Sequence, residues 1–318
     1  MPVNKIIQKA DYNDIRTKVV NVLGSGSGNS GYGQVVKSNA VAEGTTVTIN
    51  EWADLQTDIL NVAMHQTGVY DVTLTSVAIG GTIRSSPTSQ PYEQYNGIAD
   101  TLVTNRFIVS ATQSFTTTKG TTSRTWSATS SPTNWRVKIE CNVTVAFTSA
   151  TAARYFFNSG GEIRFSSERS GGAASAQNIA WTSLLSTAGT QGFGGNKPET
   201  GTTPMTGKNY YRLTNTYTTA WYVAAASSPY TLNRYAISAR TPAVADNSTG
   251  TASTIEFLIE WFDGYLDPGP GGPSDLVDGT ITLAVTTLEA SGVLYPVLAG
   301  NFVVESPTIT MPSTIIGT

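Results

Sequence analysis

The residue types that do chemistry are few in this chain and poorly grouped. His65 is the only histidine and Cys141 the only cysteine. Any Ser/His/Asp or Cys/His mechanism would have to run through that one imidazole, which falls at the end of a predicted helix, where a histidine also suits the negative end of the helix dipole. Zinc would need two further ligands, and no spacing supplies them. Cys141 lies in an alternating apolar run and reads as a small core residue, with no partner for an intramolecular disulfide. Carboxylate pairs are the remaining catalytic option. Glycoside cleavage needs two of them about 5 to 9.5 Å apart. Glu256 and Glu260 share one face of a predicted strand but lie roughly 13 Å apart along it. Asp263 with Asp267, and Glu162 with Glu168, fit no better. The expectation is a protein that is not an enzyme and carries no catalytic set, cofactor or metal.

Two other patterns invite a function. Gly26-Ser27-Gly28-Asn29-Ser30-Gly31 fits GxGxxG literally. The dinucleotide fingerprint requires a strand before it and a helix directly after it; here a helix precedes it and the P-loop lysine is absent, so the segment reads as a Gly/Ser connector. Aromatic residues crowd one stretch, with Tyr210, Tyr211, Tyr217, Trp221 and Tyr222 as candidates for stacking on a glycan or anchoring an interface, set against ordinary β-core packing.

The elements that would carry these residues follow from composition and periodicity. Ser and Thr together account for 79 of 318 residues, while charged residues make up only 13%, about half the usual share of roughly 25%. β-branched threonine suits a pleated, half-exposed surface. Low charge also weakens repulsion between identical copies. The net charge of −3 and the scattered 19 basic residues argue against nucleic-acid binding. No stretch is apolar enough to suggest a leader or a membrane span.

Residues 1–70 read as a small helical module. Asp11 is placed to cap a helix from Tyr12 to Gly24, with Ile15, Val19 and Val22 on one face. A second helix runs from Glu51 to His65 with Asn50 as its cap, Trp52, Leu55, Ile59 and Val62 as its stripe, and Gly68 as its stop. The six residues Ile15, Val19, Val22, Trp52, Leu55 and Ile59 are the candidate docking surface. A short strand over Thr46 to Ile49 is expected before the second helix.

After Val69 the period becomes two, and Tyr70, Val72 and Leu74 alternate with polar partners as the first strand. Strands are expected at 106–114, 116–127, 135–148, 210–223, 235–240, 255–262, 280–288 and 302–309. Val137, Ile139, Cys141, Val143, Val145 and Phe147 form the clearest face. Tyr155 to Phe157 and Glu162 to Ser166 are expected as a hairpin turning at Asn158-Ser159-Gly160-Gly161, with Phe156 and Phe165 in its core. A short helix is expected over Asn178 to Leu185. The Pro/Gly-rich segment 267–273 must be loop. The fold class is therefore mainly β: an antiparallel sandwich or barrel-like body over 71–318, a division near 195–210 left open, with the small N-terminal helical module before it.

A resemblance adds to this reading. Tyr155 to Phe165 (YFFNSGGEIRF), followed by Gly171-Gly172 and the Ala180 to Leu185 run, resembles a segment of tailed-phage virion proteins, most of all those of cyanophages and related marine myophages. Asp11 to Leu23, Ser30 to Gln34 (SGYGQ) and Trp52 to Gly68 resemble the same proteins, so the likeness covers about the first 190 residues. It implies a structural or tail-fibre-like virion component, assembled in the host cytoplasm, whose partners are copies of itself and other virion proteins. The alternatives are a fibre module binding a host receptor or surface glycan, and a glycan-degrading tail enzyme.

Overall fold

The computed structural model describes residues 9–69, 74–75, 91–126, 137–195, 209–265, 277–291 and 308–310. The chain forms two compact units, each drawn from several stretches of sequence.

The first unit, within residues 1–115, 151–161 and 289–302, is helical. It contains α1 (Lys9–Leu23), α2 (Ile49–Thr67), α3 (Pro91–Thr104) and α4 (Ala150–Asn158). Helix α2 begins at Thr48 rather than at the Asn50 cap expected from sequence. Thr48 and Glu51 form a reciprocal capping box, and Gly68, at φ 80°, closes the other end by donating its N–H to Met64 O. Helix α1 starts before Asp11, which lies inside its first turn. No strand forms over 46–49.

The interior of this unit is the joint of three helices. Trp52 of α2 meets Tyr12 of α1 at 5.3 Å and Tyr95 of α3 at 5.2 Å between ring centroids, both edge-on. Around this joint pack Ile15, Val19, Val22, Leu55, Ile59, Val62, Ala99 and Leu102. Burying an aliphatic side chain of this kind stabilises a fold by about 1.5–3 kcal/mol. Helix α3 was not expected from sequence, so the helical module reaches well beyond residue 70; Leu74, read as part of a strand, is one of its core residues. Tyr70 and Val72 lie outside the described residues.

The expected hairpin at 155–166 is a helix followed by a strand. The segment Ala150–Asn158 buries Ala152, Ala153, Tyr155, Phe156 and Phe157. Gly161 N–H bonds Phe156 O at 2.9 Å and Gly160 N–H bonds Phe157 O at 3.2 Å. With Gly160 at φ 88° this is a Schellman stop. The glycine expected to turn a hairpin ends a helix instead.

The second unit is an antiparallel β-sandwich. One sheet has the order β1 (Ser114–Trp126), β8 (Gly279–Ala290), β3 (Glu162–Ser170), β4 (Thr190–Phe193). The other runs β5 (Thr218–Ala224), β6 (Arg234–Arg240), β7 (Thr254–Phe262), β2 (Lys138–Ala146), β9 (Thr308–Thr310). Alternation places Ile139, Cys141, Val143 and Val145 of β2 inside, against Trp261, Ile259, Phe257 and Ile255 of β7 in register. Phe165 and Val285 pair across β3 and β8 on the facing sheet. The two inner faces meet where Phe257 touches Phe165 at 4.7 Å and Phe193 at 5.1 Å. The Trp261 indole N–H donates to Ser167 Oγ at 3.0 Å. Helix α5 (Ala176–Ala188), longer than expected, starts at the Ser175 cap and packs on β3. The strand expected over 106–114 is a turn and a short 3₁₀ segment, Ala111–Gln113. The start of the expected 210–223 strand is likewise 3₁₀, Tyr210–Arg212. The 267–273 loop lies outside the described residues.

Candidate functional site

The glycine-rich segment is neither a loose connector nor a phosphate cradle. Its backbone folds back on the end of α1, with Tyr32 N–H on Val22 O at 2.8 Å and Gln34 N–H on Leu23 O at 2.9 Å. Two side chains of α4 then hold its carbonyls. Arg154 donates from Nε to Gly28 O at 3.1 Å and from Nη2 to Ser25 O and Ser30 O. Asn158 Nδ2 donates to Ser30 O and Gly31 O, each at 3.0 Å, and to Gly28 O at 3.3 Å. A phosphate site converges amide N–H groups on an anion. Here carbonyl oxygens converge on a guanidinium, the opposite polarity. At Gly33 (φ 72°) the fit leaves no room for a side chain, since a Cβ would fall 2.4 Å from the Tyr155 ring.

His65 sits beside this clamp. Its Nε2 bonds Ser159 O at 2.8 Å, so that nitrogen carries the proton. Its ring lies 4.4 Å from that of Tyr32, and its backbone carbonyl accepts from Ser110 N–H. Burial drives its pKa down to about 4, which leaves the imidazole neutral at pH 7. Burial acts in the opposite direction on Tyr32, raising its pKa, and its hydroxyl receives a hydrogen bond from Gln66. The imidazole thus holds α2 to the stop of α4. Cys141 is fully buried, with its thiol pushed up to about 12 by desolvation, which suppresses the reactive thiolate.

The carboxylates considered from sequence are tied to donors. Glu256 accepts from Arg240 Nη2 at 2.6 Å and Nε at 2.7 Å, and the guanidinium covers the Tyr217 ring at 4.4 Å. Glu260 does not pair with Glu256. Strand register sets it directly opposite Glu140, with Lys138 bonded to Glu140 and 3.5 Å from Glu260. The Glu140 carboxylate holds the Lys138 ammonium above its ordinary pKa. Asp263 accepts from Gln177 Nε2 and from Tyr265 N–H. Glu162 pairs with Arg164 at 2.8 Å, while Glu168 lies exposed further along β3. Asp267 lies outside the described residues. Among the described residues, no group of three His, Cys, Asp or Glu is placed to hold a metal ion, and no helix is long and apolar enough to cross a membrane.

The candidate docking residues Ile15, Val19, Val22, Trp52, Leu55 and Ile59 do come together, but as the interior of the helical unit. Each is at most 2% exposed, so none presents a face to a partner. Their apolar stripes are satisfied by each other and by α3. Of the five candidate aromatics, Tyr210, Tyr211 and Trp221 are buried, and only Tyr217 and Tyr222 are half-buried. One face of Tyr217 is already covered by Arg240, which leaves Tyr222 as the more open ring for stacking. A cleft of about 60 Å³ lies between α5 (Ala180, Ser183, Leu184, Thr187) and residues 224–227. A water occupies about 30 Å³ in the liquid, so this cleft is far below the roughly 300 Å³ of an organic ligand site.

The residues missed in the sequence are Arg154 and Asn158. Asn158 belongs to a motif that was noticed, NSGG, but a tight turn explains an Asn-Gly cluster as well as a helix end does. Comparison of the chain with known protein families, curated proteins and solved structures finds no match.

Proposed function

We propose that the chain is a structural subunit of a phage particle. It is a repeated block of the tail, baseplate or neck, or of a fibre attached there, and works through contacts with copies of itself and with other virion proteins. The observation that carries this reading is the way the segments resembling virion proteins fit together. Asp11 to Leu23, Ser30 to Gln34, Trp52 to Gly68 and the start of Tyr155 to Phe165, as far as Gly161, are parts of one packed unit, locked by the Arg154 and Asn158 clamp, while Glu162 to Phe165, Gly171-Gly172 and Ala180 to Leu185 belong to the sandwich. In the helical unit these segments invest their polar groups in holding backbone, which favours an architectural role. The thin surface charge is consistent with a subunit that packs against its own kind.

The test is to purify intact particles from cells producing an epitope-tagged chain and to image them with a gold-labelled antibody. Labelling at one fixed place in the particle, in integral copy number, is expected. Absence of the chain from purified particles while it accumulates free in the lysate would overturn the reading.

A further inference from the structure

The outer side of the five-stranded sheet carries a row of side chains set by strand register. The inner side is fixed by Tyr235 and Trp261, stacked at 5.8 Å, and by Trp221, whose ring meets Tyr235 at 5.6 Å. Alternation sends the residues between them outward. Tyr222 of β5 pairs with Ala236 of β6, Ala236 with Glu260 of β7, and Glu260 with Glu140 of β2. These four residues cross four strands in a line about 14 Å long, three strand spacings. Arg234 and Lys138 stand in the next row on one side, and Asn142 in the next row on the other. Tyr222 is half-buried, while Arg234 and Asn142 are exposed. The side chains of Glu260, Glu140 and Lys138 keep 18%, 19% and 27% of their surface open. Ala236 is buried, so a ligand would rest on the taller side chains around it.

Two features of this row ask for a ligand. Like charges directly opposite each other across a sheet are destabilising, and Glu140 stands directly opposite Glu260. Lys138, bonded to Glu140 and 3.5 Å from Glu260, offsets one of the two charges. A local rule broken within a regular sheet is a mark of functional sites. The second feature is the mixture of groups. A tyrosine offers an apolar ring with a polar tip. Beside it the carboxylates accept hydrogen bonds, Lys138 and Arg234 donate them, and Asn142 does both. Each carboxylate has lone pairs beyond those that face Lys138. The two acidic and two basic groups cancel, which favours an uncharged partner over a polyanion or a polycation. We propose that this face is a glycan-binding platform that takes an uncharged oligosaccharide laid across the strands. One pyranose ring covers Tyr222, and hydroxyls further along the chain donate to Glu260 and Glu140. The inference goes beyond the reading of the chain as a virion subunit and does not depend on it.

Saturation-transfer NMR on the full chain tests it, with linear pentasaccharides of glucose, of mannose and of galactose as probes. At least one should receive saturation from the protein. In a titration with that probe, Tyr222→Ala and Glu260→Gln should each raise the dissociation constant by about tenfold or more, a loss of about 1.4 kcal/mol. Glu260→Gln keeps the shape of the side chain, so it remains informative where Tyr222→Ala unfolds the sheet; circular dichroism separates the two cases. Tyr217→Ala is the control on the same sheet, since Arg240 already covers that ring, and should leave the constant within about twofold. A sulfated form of the same pentasaccharide should bind no better than the neutral one. Silence from all three probes, stronger binding of the sulfated form, or wild-type affinity in a folded Glu260→Gln protein overturns the platform. The place of the chain in purified particles is read separately, so either reading can fall without the other.

Discussion

The helical unit and the sandwich secure their polar groups by different means. In the helical unit the difficult groups are backbone ones, because helix ends and glycine turns leave N–H and C=O groups without ladder partners. Side chains supply the missing partners: Asp58 accepts from Lys37 and Ser38 N–H, Arg154 and Asn158 serve the carbonyls of residues 25–31, and His65 serves Ser159. In the sandwich the ladders satisfy the backbone, and the difficult groups are side chains at strand ends. Arg169, at the end of β3, is only 8% exposed and bonds Asp278, which in turn accepts from Ala173 N–H and Asn178. One region thus fixes irregular chain with side chains that reach its backbone from distant parts of the sequence, and the other fixes regular chain with a buried ion pair.

Three measurements break or sharpen that contrast. The largest effect is expected at the ion pair. Asp278→Ala leaves the Arg169 guanidinium buried and uncompensated, and should cost about 3–5 kcal/mol, read as a lower denaturant midpoint for the sandwich. Replacing both residues by apolar ones of similar volume should recover most of it; no recovery would mean that shape, not charge, holds that corner.

Next is acid. The ordinary pKa of His65 is 6.5 and burial lowers it to about 4. Between those values the unfolded chain binds a proton that the folded unit refuses. Its contribution is therefore complete above pH 6.5 and is lost as pH falls toward 4, by roughly 3 kcal/mol at the limit. Thermal melts of the wild type and His65→Gln from pH 7.5 to 4.5 should converge as pH falls. Parallel curves would contradict the buried, neutral imidazole.

The smallest effect is Asn158→Ala, which strips donors from three carbonyls at about 1–3 kcal/mol. Hydrogen exchange should quicken selectively at residues 24–34. A rise spread evenly over the chain would mean that Asn158 does not act as a local clamp.

What was legible in the sequence follows the same divide. β2, β7 and β8 carry one buried face and one open face, which write a period of two into the residues, whereas β6 is buried from Tyr235 to Ala239 on both faces. The stripes of α1 and α2 were equally plain, but a stripe says only that something covers it. It does not distinguish a neighbouring helix of the same chain from another protein, and α3 turned out to be part of the cover. α3 itself was hidden by Gly97 and by the threonines around it, poor helix formers that tertiary packing of Tyr95, Ala99 and Leu102 overrides. At α4 the ambiguity was in one residue: Gly160 supplies a positive φ, which a hairpin turn and a Schellman stop both demand. The Arg154 and Asn158 clamp has no periodic signature, because its acceptors lie more than 120 residues away in the chain.

The helical unit is interrupted in sequence, with residues 151–161 and 289–302 joining the first 115. On a ribosome, its opening helices therefore emerge long before the segment that clamps their glycine loop, and longer still before its last stretch. At typical synthesis rates the delay from residue 115 to residue 289 is on the order of 10–35 s. During that interval the glycine loop lacks its Arg154 and Asn158 donors and His65 lacks its Ser159 acceptor, so a nascent chain halted before residue 151 should be cut readily by proteases within residues 24–34, while the released chain should not.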